Sequence, residues 1–110
     1  MLVSVVICSY NRAAYIGGAL DSLYQQTASK DNFEVIVVDN NSTDGTEKVV
    51  AKWRSENQEG HFHYSTETNQ GASFARNTGA QLAKGAWLCF MDDDAVATPS
   101  YIENIIQHIL

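Results

Sequence analysis

The chain has 110 residues, an apolar share of 45% and a formal net charge of −6. That length gives one domain or part of one, with a modest core. The acidic balance makes nucleic acid and anionic membrane poor partners, so any phosphate binding needs a metal or a few placed cations.

Both cysteines, Cys8 and Cys89, sit inside apolar runs and lack paired zinc spacing. They read as small buried strand residues in a reducing compartment. The run Met1–Cys8 is apolar but has no basic leader or cleavage site, so it reads as a strand and not a signal peptide. No stretch reaches bilayer length. The expected location is cytoplasmic, or the inner face of a membrane within a longer protein.

Taken in order, residues 2–9 are rich in Val and Ile and read as a buried strand. Ser9-Tyr10-Asn11-Arg12 breaks the run, with Asn11 as an expected N-cap. Ile16, Ala19, Leu20 and Leu23 follow at helical spacing, which predicts a helix over 12–26 despite Gly17 and Gly18. A polar loop, 27–32, leads to Phe33–Asp39, a second strand that ends in a carboxylate. Asn40 to Thr46 is turn and cap chemistry, and a helix with Val49, Val50 and Trp53 on one face comes next.

Residues 61–66 form a shorter, more polar strand, expected at a sheet edge, with His61 and His63 on one face. That pair is compatible with a metal but reads better as exposed edge histidines. Asn69-Gln70-Gly71 turns the chain. Ala72 to Lys84 is a weak helical pattern with Ala75 and Leu82 inward and Gly85 as its stop. Trp87–Met91 is an apolar run, expected to be a strand buried on both faces. Thr98-Pro99 reads as a helix start, and Ile102, Ile105, Ile106, Ile109 and Leu110 make an apolar stripe that needs a partner surface.

The apolar run ends in Asp92-Asp93-Asp94-Ala95. Three adjacent carboxylates repel one another, and water, an arginine or a divalent cation could compensate them. Mg²⁺ and Mn²⁺ prefer carboxylate oxygens, and Asp-x-Asp lets two converge on one ion. The alternation βαβαβαβα implies an α/β fold with a Rossmann-like, mostly parallel sheet. In the order 3-2-1-4, Ser9-Tyr10-Asn11, Asp39 and Asp92-Asp93-Asp94 all reach one crevice at the carboxyl ends of the strands. The first βα turn has neither Gly-x-Gly-x-x-Gly nor a P-loop, which disfavours a Rossmann oxidoreductase.

Four segments carry a resemblance. They are Val5–Arg12, Val37–Thr46, Asn69–Gly79 and Phe90–Asp94. In order and spacing they resemble the nucleotide-sugar-binding half of family 2 glycosyltransferases, which have the GT-A fold with helices on both faces. The resemblance spans nearly all of residues 1–110 and implies that the acceptor-binding half lies outside them. It implies that Ser9, Tyr10 and Asn11 line the base and ribose pocket, that Asp39 accepts a hydrogen bond from the base, and that Arg76 sits near the nucleotide. Asp92 and Asp94 match its metal-binding Asp-x-Asp, with Asp92 also toward the ribose and Asp93 a lesser contact. The family often has proline at Cys8 and aspartate at Asn40 and Ala95.

The same resemblance implies metal-dependent, inverting transfer of a sugar from a nucleotide-diphosphate donor, with a UDP-sugar expected, to a saccharide or lipid-linked acceptor hydroxyl. The catalytic base would come from the later half, so these residues alone are expected to bind donor weakly and transfer little. The alternative is a non-catalytic nucleotide, metal or docking module, with self-association through the final Ile/Leu helix.

Overall fold

The computed structural model describes residues 1–110 and contains four strands and four α-helices in strict alternation. They are β1 (Val3–Ser9), α1 (Ile16–Tyr24), β2 (Phe33–Asp39), α2 (Thr46–Glu56), β3 (His61–Thr66), α3 (Ala72–Leu82), β4 (Trp87–Asp92) and α4 (Tyr101–Ile109). All pairings are parallel and the order is β3-β2-β1-β4. That is the expected 3-2-1-4 arrangement, with the switch between β1 and β4.

Period-two alternation sends the strand side chains to two cores. Val3, Val5 and Ile7 with Phe33, Val35 and Val37 face α1, α2 and α4, where Leu20, Val50 and Ile102 complete the larger core. Val6, Ile36 and Val38 face α3 through Ala75. The central strands are therefore buried on both faces, which is why they read as unbroken Val/Ile runs. Glycine allows α3 its close approach, because a Cβ on Gly79 would lie 2.3 Å from Val6 Cγ1.

Several expectations need correction. The β4 strand is not buried on both faces. It forms the edge beside β1, and Trp87, Leu88 and Phe90 are exposed. Trp87 N donates to Leu2 O, so by alternation Leu88, Phe90 and Asp92 turn their backbone groups to the open edge. The first helix starts at Ile16, four residues later than expected, and Asn11 is not its cap. Gly85 does not terminate α3, whose C-cap is Ala83. It lets the chain pass against β1, where Gly85 N donates to Ser4 Oγ at 2.8 Å.

The last helix begins at Tyr101, with Ser100 and not Thr98 at its N-cap. The carbonyls of Thr98 and Pro99 are taken by Gln26 Nε2 and Thr27 N, which dock that segment on the end of α1. Ile102 is fully buried, whereas Leu110 is exposed. Between β4 and α4 lies an apolar groove of about 500 Å³ bordered by Trp87, Tyr101 and Ile105. No helix is long and apolar enough to cross a membrane. Cys8 and Cys89 are free thiols, half-buried where full burial was expected.

Candidate functional site

The carboxyl ends of β2, β1 and β4 lie side by side. Ser9 pairs with Asp39, and Cys8 pairs with Asp92. Consecutive residues at the end of β2 then serve opposite faces. Asp39 Oδ1 accepts from Ser42 N at 2.9 Å and Oδ2 accepts from the Tyr64 hydroxyl at 2.6 Å. The side chain of Asn40 turns to the α3 side. Its Nδ2 donates to Glu67 O and Asn69 O, and its Oδ1 accepts from Gly71 N.

Asn40 thus uses both ends of its amide to hold the β3–α3 loop, from a site that is 5% exposed. A carboxylate cannot donate to those two carbonyls. Asn40→Asp is expected to destabilise the chain by about 3 kcal/mol, the cost of unpaired buried polar groups with a charge against them. Chemical denaturation checks this, and a variant as stable as the parent would show that the loop does not depend on the amide.

The β1–α1 and β2–α2 loops are clasped together. Asn11 sits at φ 51°, in the left-handed region that asparagine tolerates. Its N–H donates to Ser42 Oγ at 2.9 Å, and its Oδ1 accepts from Thr43 N at 2.8 Å. Ala13 N donates to Asp44 Oδ2 at 3.0 Å, and the Thr46 hydroxyl donates to Asp44 Oδ1 at 2.6 Å. The Thr46 hydroxyl, then the Ala13 amide, hold the Asp44 carboxyl below the usual range. Asn11 therefore shapes the rim and does not cap a helix.

The three acids separate by role. Asp93 is buried, and its carboxylate lies 3.5 Å from Arg12 Nε. Burial raises its pKa, against the Ser9 hydroxyl dipole, the Tyr10 amide and the Arg12 charge, which lower it. Asp92 and Asp94, on either side, are exposed and make no ion pair. Asp93, expected as the lesser residue, is the one that ties β4 to the end of β1. Ser9 Oγ is buried and has no hydrogen-bond partner of ordinary geometry.

A cleft of about 300 Å³ opens between these strand ends and the start of α3, lined by Cys8, Ser9, Tyr10, Asn40, Gln70 and Ala72 among others. Tyr10 is 51% exposed, so it lines the cleft and is not packed beneath a helix. Arg76 is exposed and without an ion pair. Its charge reaches the Cys8 thiol, whose pKa burial nonetheless raises. Asp39, 3% exposed, lies below the cleft and is not part of its lining.

The structure thus gathers Ser9, Tyr10, Arg12 and Asp93, with Asp39 on the other side of Ser9. Asn11 faces the next loop instead. His61 and His63 are exposed at the opposite end of the sheet, and no group of three or more His, Cys, Asp or Glu side chains is arranged to hold a metal. Sequence reasoning missed Tyr64 and the anchoring part played by Asn40. The available signal for Tyr64 was its parity: on β3 it shares the face of Asp39 across the β2–β3 pairing.

Residues 4–110 match the family model described as glycosyl transferase family 2. An uncharacterized glycosyltransferase of Haemophilus influenzae is 43% identical over 98% of this chain and 34% of its own length. The structure of S. aureus TarS in complex with UDP-GlcNAc superposes with a TM-score of 0.89 at 32% identity, over 99% of this chain and 31% of that one. The mannosyltransferase PcManGT from Pyrobaculum calidifontis, in complex with GDP-Man and Mn²⁺, gives 0.91 at 33% identity, over 96% and 31%. The chain spans about a third of the length of each of these proteins. Strand order, the family match over residues 4–110 and the likeness to these solved structures agree, and the chain belongs to glycosyl transferase family 2, with a GT-A-type sheet.

Proposed function

We propose that these residues bind the nucleotide part of a sugar donor, a UDP-sugar, with Mg²⁺ or Mn²⁺, for inverting transfer to a saccharide or lipid-linked acceptor hydroxyl. The observation that supports it most is the division of labour among the acids. Asp93 is turned inward and tied to the end of β1, while Asp92, paired with Cys8 of the cleft, and Asp94 stay exposed and make no ion pair. Two unpaired carboxylates fit a hard divalent ion.

In this reading Asp92 and Asp94 hold the cation, which when bound supplies Lewis-acid stabilisation of the leaving diphosphate. Tyr10 offers an exposed aromatic face to the nucleoside. The unpartnered Ser9 hydroxyl offers a hydrogen bond at the strand end, and Asn11 fixes the rim between them. Asp39 accepts from the base. Arg76, with no acid of its own, is free to meet a phosphate. The relatives' complexes with UDP-GlcNAc and with GDP-Man and Mn²⁺ support a nucleotide-sugar donor and a divalent ion. Transfer also needs a base to take the acceptor's proton, and this reading assigns that part to none of these residues.

Calorimetric titration of UDP into the chain, with and without MnCl₂, tests the reading. UDP is expected to bind at least about tenfold more tightly with Mn²⁺, because the acids otherwise repel the diphosphate. Equal affinity in both conditions would remove the metal from the account, and no binding in either would remove the nucleotide.

A further inference from the structure

His61 and His63 are two positions apart on β3, so both side chains leave the same face of the edge strand, about 6.6 Å apart. Both are exposed, and neither makes an ion pair. His63 pairs with Ile36, which places that face on the α3 side of the sheet. There the two histidines border a polar hollow of about 320 Å³ at the amino ends of the strands, together with Glu34, Leu82 and Lys84.

Glu34 is the second observation. It stands opposite His61 in the β2–β3 register and shares its face. It is 6% exposed and makes no ion pair. Its Oε2 takes both donors, the Ser4 hydroxyl at 2.5 Å and Lys84 N at 2.6 Å, which leaves Oε1 without one. Buried carboxylates are paired with a cation or turned to a metal. The cations around the hollow do not fill that part. Arg54 spends its guanidinium on the carbonyls of Asn57, Glu59 and Gly60, and Met1 and Lys84 are exposed at the border.

We propose that this hollow is a second cation site, for a divalent transition metal of the Zn²⁺ and Ni²⁺ class, with His61 and His63 as its ligands. Imidazole nitrogen suits these ions at about 2.0–2.1 Å, whereas Mg²⁺ and Mn²⁺ prefer oxygen. Water fills the remaining positions, and one such water donates to Glu34 Oε1, which acts as an outer partner. The ion then answers the buried carboxyl and pins the amino end of the edge strand to β2. The site lies at the other end of the strands from Asp92 and Asp94, so it stands or falls independently of the nucleotide reading.

The experiment is calorimetric titration of NiCl₂ into the full chain at neutral pH, with excess MgCl₂ to occupy the acids. The parent is expected to bind a single Ni²⁺. His61→Asn and His63→Asn should each weaken it by at least about tenfold, and Glu34→Gln by about tenfold. His108→Asn, on α4 and away from the hollow, should bind as the parent does. NiCl₂ should also raise the melting temperature of the parent and leave that of His63→Asn unchanged, because the ion binds the folded strand. No binding by the parent, an unchanged affinity in any of the three site variants, or an equal loss in His108→Asn overturns the proposal. If Glu34→Gln does not fold, the two histidine variants, both at exposed positions, decide without it.

Discussion

Asp94→Ala is expected to abolish the Mn²⁺-dependent part of UDP binding while the chain stays folded. The loss in Kd should equal what Mn²⁺ adds, at least about tenfold. Stability should be unchanged or slightly higher. Asp94 is exposed and makes no ion pair, and its charge works against the ionisation of Asp93. Asp93→Ala should behave in the opposite way. It removes the partner of Arg12 and of the Tyr10 amide, so about 1 kcal/mol of stability goes with it. A thermal melt and a UDP titration on each variant separate the two. If Asp94→Ala binds UDP and Mn²⁺ as the parent does, the acidic stretch is a solvated turn and the metal reading fails.

The inner strands were legible because burial on both faces leaves its mark in each residue. Val5-Val6-Ile7 and Val35-Ile36-Val37-Val38 have no polar position to misread. The same rule misplaced β4. Trp87 to Met91 is as apolar as a central strand, and nothing local says that its outer edge is open. Position within a sheet is decided by strand order, which is a tertiary property.

Loop chemistry was legible as residue type but not as partner. Asn11 was recognised as a residue that meets backbone groups, yet it meets those of Thr43 and Ser42, about thirty residues away, and not a helix start. Thr98 and Pro99 read as the start of a helix, yet their carbonyls are taken by Gln26 and Thr27, just after α1. At the site, the three strand ends were legible from where apolar runs stop. Which aspartate turns inward was not, because Asp92, Asp93 and Asp94 differ only in the direction the backbone gives them.

The largest effect on the fold is expected far from the acids. A Cβ on Gly85 would lie 2.7 Å from Ser4 Oγ and 2.8 Å from both Ser4 N and Val3 C. Two of these three atoms are backbone of the innermost strand region, so no side chain can swing aside. The same point holds a buried network. Ser4 Oγ donates to Glu34 Oε2 at 2.5 Å, and Lys84 N donates to that oxygen at 2.6 Å. Gly85→Ala must push the α3–β4 loop off β1 and break into that network. The expected cost is about 2–3 kcal/mol, or about 10–20 °C in melting temperature. Gly17→Ala is the control. Nothing lies within 4 Å of its Cβ and it is inside α1, so it should stabilise by about 0.5–1 kcal/mol. The consequence at the other end of the sheet is what ties the packing to the chemistry. Since β4 pairs with β1 all the way to Cys8 and Asp92, a displaced Gly85 should also weaken Mn²⁺-dependent UDP binding in whatever fraction remains folded. A Gly85→Ala chain that melts with the parent would show that β4 is free to slide on β1, and then nothing in the packing would hold Asp92 and Asp94 at the cleft.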